Sequence, residues 1–581
     1  MKKLHASFVL VSAVLVLSGC TLFGSSLKVI PATGQGVHLE ELMPVDPFMV
    51  FTYNPTDAQQ GDLLRTNLEK ITAVANKYNQ DYVNGLTQFF NTLPKDALMV
   101  SLMEKEKALG ANAFPAAPQI SVSIKFPPAA SEQSDPIMGV FIGGFSESQI
   151  QAQRSILKDI LTGVTPQRDT ADVLYIPSSN GKKLQVGVIK DVVFLTGSSE
   201  QATEIIERFE NTKIQTLADN TLFKDAIKEL PNQFAGYVFY DTNAIWDRMG
   251  DGTEDVPALK LPFPKTGMSV FSASGTGINV STLQPFTDET KKSAYYKNMK
   301  EGDIGLYKKV PTTDAILYEE GVGLGGVIED MLVAGEVADE DLKNIKDASG
   351  IDVRGDIIPL LNGPFAFVMQ NSPSGAIPAF SFYVDAAQHA ESAQRIETTL
   401  DVTLDSLISF AKMSIASKDP MQSVLEKHAL DSAVGQGAVL TFHANRLKDT
   451  PTELEGIISA LVPAQVEVTY GLTKDNVFFF STYTGVEKLL GTSNAALTSQ
   501  PLFKMFLNNA KIEKSVVYLD PAALGKTIQR FVDVFSTIEP MDEATKSGLA
   551  LVQEYLGLVK GVFSAGSLTS DGIRSESFIG L

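Results

Sequence analysis

The sequence contains a serine and a lysine whose spacing could produce a nucleophile and its base. Ser155 and Lys158 stand three residues apart in a stretch with helical periodicity, so both side chains would lie on one face of the helix. A lysine amine beside a serine hydroxyl can activate it for attack on an acyl group. Two more segments follow in order, Ser178-Ser179-Asn180 and Lys265-Thr266-Gly267, the second leading into a predicted strand.

The order of these three segments resembles that of the penicillin-binding proteins. In that family the first motif begins a helix, and the last lines the site from an edge strand. Here Ser155 falls well inside its predicted helix, and only 23 residues separate it from Ser178. The sequence of Ser178-Ser179-Asn180 also predicts a hairpin turn, which accounts for these residues without a catalytic role. A serine acyl-enzyme is therefore a remote alternative.

The sequence predicts no metal site made of histidine or cysteine. Zinc sites and metalloprotease helices need closely spaced ligands, which the histidines of this chain do not provide. No Gly-x-Ser-x-Gly segment stands between a strand and a helix either. We therefore predict no catalytic residues and no cofactor. The histidines are His5, His38, His389, His428 and His443, of which His389 and His428 are expected on the surface of helices.

Two glycine-containing segments suggest other ligands. Gly321, Gly323 and Gly326 form a Gly-x-Gly-x-x-Gly pattern after a predicted strand, but pyrophosphate binding requires a parallel βαβ unit, so we interpret the segment as a flexible connection. An acidic turn could bind calcium outside the cell, although its spacing departs from an EF-hand, and the sequence leaves this question open. The acidic turn comprises Asp247, Asp251, Glu254 and Asp255 around Gly250 and Gly252.

The N-terminus carries the most specific chemical signal. Lys2 and Lys3 precede an apolar run over residues 6–17, which has the length of a signal-peptide core and is too short to span a membrane. The run ends in Leu17-Ser18-Gly19-Cys20, which resembles the bacterial lipobox. That resemblance implies cleavage after residue 19 and acylation of Cys20, including palmitate, so the chain would be anchored to the membrane by lipid.

Composition agrees with an exported, core-stabilised protein. Cys20 is the single cysteine in 581 residues, so no disulfide can form within the chain. Loss of residues 1–19 leaves 46 basic and 68 acidic side chains, a net charge of −22, which argues against binding to nucleic acid or to anionic headgroups. Residues 20–40 read as a lipidated tether, because glycine and serine interrupt them without apolar periodicity.

The rest of the chain contains an internal repeat. Residues 187–194 match 471–478, residues 222–224 match 502–504, and residues 238–241 match 517–520, at offsets of 284, 280 and 279. The closing segments 270–273 and 562–565 are also alike, and 50–53 corresponds more loosely to 315–318. We therefore predict two tandem copies, residues 41–290 and 304–581, with a polar junction over residues 287–303.

Each copy mixes strand-like and helix-like segments. Strands are predicted near residues 120–126, 138–145, 184–196 and 234–240, and helices over 149–161 and 200–209. The strands come in consecutive groups, which favours an α+β fold of mostly antiparallel sheet with helices packed on one face. Segments 173–176 and 184–186 should form a hairpin. The matched or strand-like phenylalanines Phe194, Phe223, Phe239, Phe478, Phe479, Phe480 and Phe503 are expected in the core.

The amino-acid sequences of both copies resemble a widespread bacterial family of envelope proteins that is catalogued only as a domain of unknown function. Residues 349–361 before the strand 365–368 are similar to its middle segment, and residues 217–230 before 236–241 to its later one. The family implies a location in the cell envelope and brings no catalytic residue.

From these observations we expect a non-catalytic binding or scaffolding lipoprotein on the extracytoplasmic face of the cell membrane. The outer membrane is possible if the organism has two. Its partner would be an envelope protein or a small ligand, and the alternative is a carrier or sensor of a lipid or peptide. A carrier predicts an apolar groove between sheet and helices, whereas a scaffold predicts a filled core and a protein partner.

Overall fold

The computed structural model describes residues 38–54, 58–78, 119–125, 137–162, 164–177, 185–231, 233–241, 264, 266–373, 375–414, 425–443, 465–490, 497–507, 512–538 and 541–581. The described residues up to Pro285 form one compact unit, and those from Phe286 onward form another. Both units mix helices with antiparallel sheet, which confirms the α+β class in this general sense.

The first unit is built on ten described strands that pair only antiparallel. Their order across the sheet is β4-β5-β6-β7-β3-β2-β1-β8-β9-β10. The strands are β1 Met49–Tyr53, β2 Gln119–Lys125, β3 Ile137–Gly143, β4 Arg168–Asp169, β5 Val173–Tyr175, β6 Gln185–Ile189, β7 Val192–Thr196, β8 Gly236–Asp241, β9 Thr266–Ser274 and β10 Gly277–Pro285. The helices are α1 Ala58–Tyr78, α2 Glu147–Ile160, α3 Ser199–Glu210 and α4 Thr221–Glu229.

The second unit also has ten described strands, in the order β14-β15-β16-β17-β13-β12-β11-β18-β19-β20. They are β11 Ala315–Gly321, β12 Phe365–Gln370, β13 Ala379–Asp385, β14 Leu425–Ala429, β15 Gly435–Phe442, β16 Val466–Thr473, β17 Val477–Ser481, β18 Ser515–Leu519, β19 Gly561–Leu568 and β20 Gly572–Gly580. The helices are α5 Asp288–Lys292, α6 Ala294–Glu301, α7 Leu324–Ala334, α8 Asp339–Ser349, α9 Ile358–Asn362, α10 Ala390–Ser414, α11 Pro501–Leu507, α12 Pro521–Ile538 and α13 Glu543–Leu558.

Local sequence signals account for the boundaries of several elements. The side chain of Ser146 accepts the N–H of Gln149 while the Gln149 side chain accepts the N–H of Ser146, and this reciprocal capping begins α2. Asn220 caps α4 in the same one-sided way that Ser198 caps α3. The predicted strands and helices of the first copy are confirmed to within three residues, except that residues 184–196 form two antiparallel strands, β6 and β7, instead of one. β5 pairs with β6 as the predicted hairpin requires.

Helices pack on both faces of each sheet, so the prediction of one covered face is wrong. We call the face that carries Phe194 in the first sheet, and Phe479 in the second, the inner face. The inner core of the first unit includes residues of α3 and α4, whereas α2 packs on Val193 at the outer face. In the second unit α11 lies on the inner face, and α10 packs on Phe478 at the outer face.

The reason lies in the central strands. All five residues of β6 are buried, as are four of the five residues of β7, without the alternation that a strand with one solvent-exposed face would show. A continuous apolar run such as Val192-Val193-Phe194-Leu195 is typical of a strand covered on both sides.

The segment expected to be a polar junction is helical. α5 and α6 occupy residues 288–301 and belong to the second unit. The carboxylate of Asp330 on α7 accepts the N–H of Ala294 and of Tyr295, both at 2.9 Å, and so fastens α6 to α7. The described boundary between the units is therefore at Pro285 rather than across residues 287–303.

Neighbouring phenylalanines in β17 allow the two-faced packing to be tested. Phe479→Ala should lower the free energy of unfolding by about 3–5 kcal/mol, because its ring is fully buried on the inner face. Phe480→Ala should cost about 1 kcal/mol or less, since that ring is 43% exposed. Urea unfolding of the two variants measures the difference. Equal losses would contradict the assignment of the two faces.

Candidate interaction surface

The outer face of the second sheet carries a group of partly uncovered phenylalanines. Phe367 on β12 lies two strands from Phe480 on β17, with Phe382 of β13 between them in register. Phe380, also on β13, stacks on Phe367 with ring centroids 5.9 Å apart. The exposed fractions of Phe380 and Phe480 are 41% and 43%. We call Phe367, Phe380 and Phe480 the aromatic strip.

Helix α10 covers the part of the sheet next to the strip. Its residues Ala393 and Ile396 pack with Val384, Leu472 and Phe478 in one apolar cluster. Phe382 also packs against this cluster, so the strip lies at the edge of the area that the helix covers.

Polar contacts fix α10 in that position. The buried Tyr470 donates its hydroxyl to Asp401 at 2.7 Å, and Lys427 of β14 pairs with Asp401 and Asp405 at 2.8 and 2.7 Å. Lys427 lowers the pKa of the Asp401 carboxyl, and the Tyr470 hydroxyl contributes in the same direction. The ionised aspartate thus keeps α10 over β14 and β16, on the strand next to that of Phe480.

Helix α12 begins near the other side of the strip. Asn371, just after β12, donates to the carbonyl of Ala523 at 3.0 Å and accepts the hydroxyl of Thr527 at 2.7 Å. Arg530 donates to the carbonyl of Ser372 at 2.6 Å. These contacts order the start of the loop between β12 and β13, in which the apolar side chain of Ile377 is also exposed.

The first sheet has smaller side chains at the positions that strand pairing makes equivalent. Val122, Val140 and Leu195 occupy the row that corresponds to Phe367, Phe382 and Phe480, and all three are half-buried. Within the described ranges, the exposed aromatic rings of the outer face therefore belong to the second unit. Rigid aromatic side chains are enriched in protein interfaces because they contribute large contact areas at low entropic cost.

The carboxylate that is most buried among the described residues has a structural role. Glu320 on β11 is fully buried, and it accepts the N–H of Gly305, Leu306 and Tyr307 at 2.6, 2.6 and 2.9 Å. The hydroxyl of Tyr318 donates to it at 2.8 Å. Burial raises the pKa of the Glu320 carboxyl, and the four donors oppose this effect. Because these donors occupy both of its oxygens, Glu320 holds the chain segment that enters the sheet.

Of the residues that could form a serine acyl-enzyme, those that the structure describes do not form such a site. Ser155 is exposed in the third turn of α2, and Lys158 pairs with Asp169 at 2.8 Å. α2 packs on β5 to β7, whereas Thr266 and Gly267 lie on β9, five strand pairings from β7. Five spacings of about 4.8 Å separate the two by roughly 24 Å. Ser178, Ser179, Asn180 and Lys265 lie outside the described residues.

The Gly-x-Gly-x-x-Gly segment is tightly packed, so its interpretation as a flexible connection is wrong. Gly323 has a φ of +81°, where α7 begins, and a Cβ on Gly326 would lie 2.7 Å from the backbone of Ala294. The glycines thus allow α7 to approach α6 closely. β11 pairs antiparallel on both sides, so no parallel βαβ unit is present there.

Some of the other residues singled out in the sequence lie within the described ranges, and others lie outside them. His428 lies exposed on strand β14 rather than on a helix, and His389 precedes the first turn of α10. Within the described ranges, no three His, Cys, Asp or Glu side chains converge as a metal site. No helix in those ranges is both long and apolar enough to cross a membrane. Cys20, the tether to residue 37 and the acidic turn around Asp251 lie outside the described residues.

Comparison with known proteins adds little. No protein-family model and no curated protein matches the sequence. A solved structure described as crystal form I of TP0453 is 10% identical to this chain, with a TM-score of 0.21, and the match covers 44% of this chain and 81% of that one. A similarity of this size supports no conclusion about fold or function.

Proposed function

We propose that the protein is a non-catalytic scaffold of the bacterial cell envelope, anchored by lipid on Cys20, that binds a protein partner through the aromatic strip. The observation that carries this proposal is the exposure of the Phe380 and Phe480 rings on the outer face of the second sheet. Contiguous exposed apolar side chains on a folded domain mark binding surfaces more often than chance.

The packing of the inner face favours a scaffold over a carrier. Phe503, Phe506, Tyr518 and Phe563 fill the inner core of the second unit, with ring centroids 5.1–6.4 Å apart. All four are buried. A carrier of a lipid or peptide would use an open apolar groove between sheet and helices, whereas these rings occupy that space.

We also propose that the two units are tandem copies that belong to the envelope family of unknown function. The common strand order supports duplication, as does one recurring contact. Gly187 faces Phe194 across the β6–β7 pair, and Gly471 faces Phe479 across β16–β17. Equivalent hydroxyl pairs also join β9 to β10 and β19 to β20, Ser269 with Thr282 at 2.7 Å and Ser564 with Ser577 at 2.9 Å.

Strand pairing shifts three of the sequence matches. Phe194 aligns with Phe479 instead of Phe478, because the turn between β16 and β17 is one residue longer than the turn between β6 and β7. When the strands are aligned so that Val238 and Val517 are equivalent, residues 50–53 align with 318–321 and residues 270–273 align with 565–568. Both partners lie three residues further along the chain than in the sequence match. The pairing preserves the order of all ten strands.

The lipid anchor fits the remaining properties of the chain. With 68 acidic and 48 basic side chains, the protein would be repelled by anionic headgroups, so a covalent lipid is the direct means of attachment. Acylation of Cys20 would place both units on the extracytoplasmic face of the membrane.

A photoreactive side chain at position 380 or 480 should give a discrete protein adduct when intact cells of the host are irradiated, because these positions would face the partner. The control places the same group at Val402, which is 60% exposed on α10 and outside the strip. Gel shift and mass spectrometry of the adducts provide the measurement. Adducts to phospholipid alone, or equal adducts at all three positions, would refute a protein-binding strip.

Cys20→Ser should abolish acylation and release the protein from the membrane fraction, because no other cysteine can accept the lipid. Incorporation of labelled palmitate into the wild-type chain, compared with Cys20→Ser, measures this directly. Equal labelling of both proteins, or firm membrane association of an unlabelled variant, would contradict anchoring through Cys20.

A further inference from the structure

Helix α8 of the second unit has no buried residue. Its eleven residues, Asp339–Ser349, include a half-buried Leu342, and Ile345 is 48% exposed. These two side chains are three residues apart and so lie on one face of the helix. The end of the preceding helix α7 also exposes apolar side chains, those of Met331 and Val333. Isolated helices shorter than about 12–15 residues are marginal in water, and most helices gain their stability by packing an apolar face.

The contacts that hold α8 within the chain are weak. Arg354 bridges Glu329 of α7 and Asp339 of α8, and Lys346 pairs with Asp352 at 2.8 Å. Ion pairs of this kind contribute about 0–1 kcal/mol each when exposed, as these are. Three acidic residues in the first turn and Gly350 after the last turn favour the helical form but bury no apolar surface. The described residues therefore cover the face formed by Leu342 and Ile345 only in part, and Ile345 stays 48% exposed.

Charge around this face distinguishes between possible occupants. Residues 336–349 contain five acidic and two basic side chains, a net charge of −3, and Lys346 is already paired. A second copy of the same helix would bring two segments of net negative charge together, and an anionic bilayer would be repelled by the same charge. A segment that presents both apolar and basic side chains would complement the face.

We propose that α8 is a docking helix for a basic amphipathic segment of another protein. Leu342 and Ile345 supply the apolar contact, and Asp341, which lies one turn before Ile345 on the same face, pairs with lysine or arginine of the partner. This inference goes beyond the proposed scaffold function, because it concerns a different surface and depends on neither the aromatic strip nor Cys20.

The test uses the full mature chain in detergent and a synthetic 18-residue peptide with leucine at helical spacing and lysine elsewhere. A matched peptide carries glutamate at every lysine position. We expect the basic peptide to bind with salt-dependent affinity and to slow amide hydrogen exchange over residues 339–349. The acidic peptide should bind at least tenfold more weakly.

Two variants locate the binding. Ile345→Ser removes apolar contact, and Asp341→Lys reverses the charge of an exposed position one turn before Ile345 on the same face of the helix. Each should weaken the basic peptide at least tenfold, whereas the control Val402→Ser, an exposed position on α10, should leave it unchanged. Equal binding by all variants, equal binding of both peptides, or a dimer in sedimentation that Ile345→Ser dissolves would overturn the proposal.

Discussion

The architecture depends on the burial of the central strands on both faces. β7 and β17 each place one aromatic ring inside and apolar side chains outside, so neither strand can be satisfied by a single layer of helices. Once α10 is pinned over β14 and β16 by Asp401, Lys427 and Tyr470, the outer cover of the second sheet is incomplete. The aromatic strip lies at the edge of the area that this helix covers, where the rings of Phe380 and Phe480 stay exposed.

A second constraint concerns the chain segment that enters each sheet. In the second unit the carboxylate comes from strand β11, where Glu320 holds Leu306 and its neighbours. In the first unit Glu40 lies in the entering segment itself and accepts the hydroxyl of Tyr237 on β8, while Thr52 occupies the position of Glu320. Both solutions pair a carboxylate with the hydroxyl of a buried tyrosine, and in the second unit the carboxylate is itself buried, where an unpaired charge would be costly.

The sequence predicted strands, helices and the hairpin because periodicity and caps are local. It failed where tertiary packing decides. Apolar runs such as 192–195 need helices on both faces of the sheet, whereas the prediction from sequence placed helices on one face. Phe480 was expected in the core beside Phe478 and Phe479, yet its ring is exposed, because strand position gives the face of a side chain but not whether a helix covers it. The close packing of Gly326 against Ala294 likewise needed the fold.

The most direct test of a scaffold with filled cores is native mass spectrometry of the mature protein, extracted in mild detergent from its own host. The account predicts the mass of residues 20–581 with the acyl groups on Cys20 and no other stoichiometric small molecule. A bound lipid or peptide at one equivalent, retained when detergent is removed in the gas phase, would contradict it and identify a carrier.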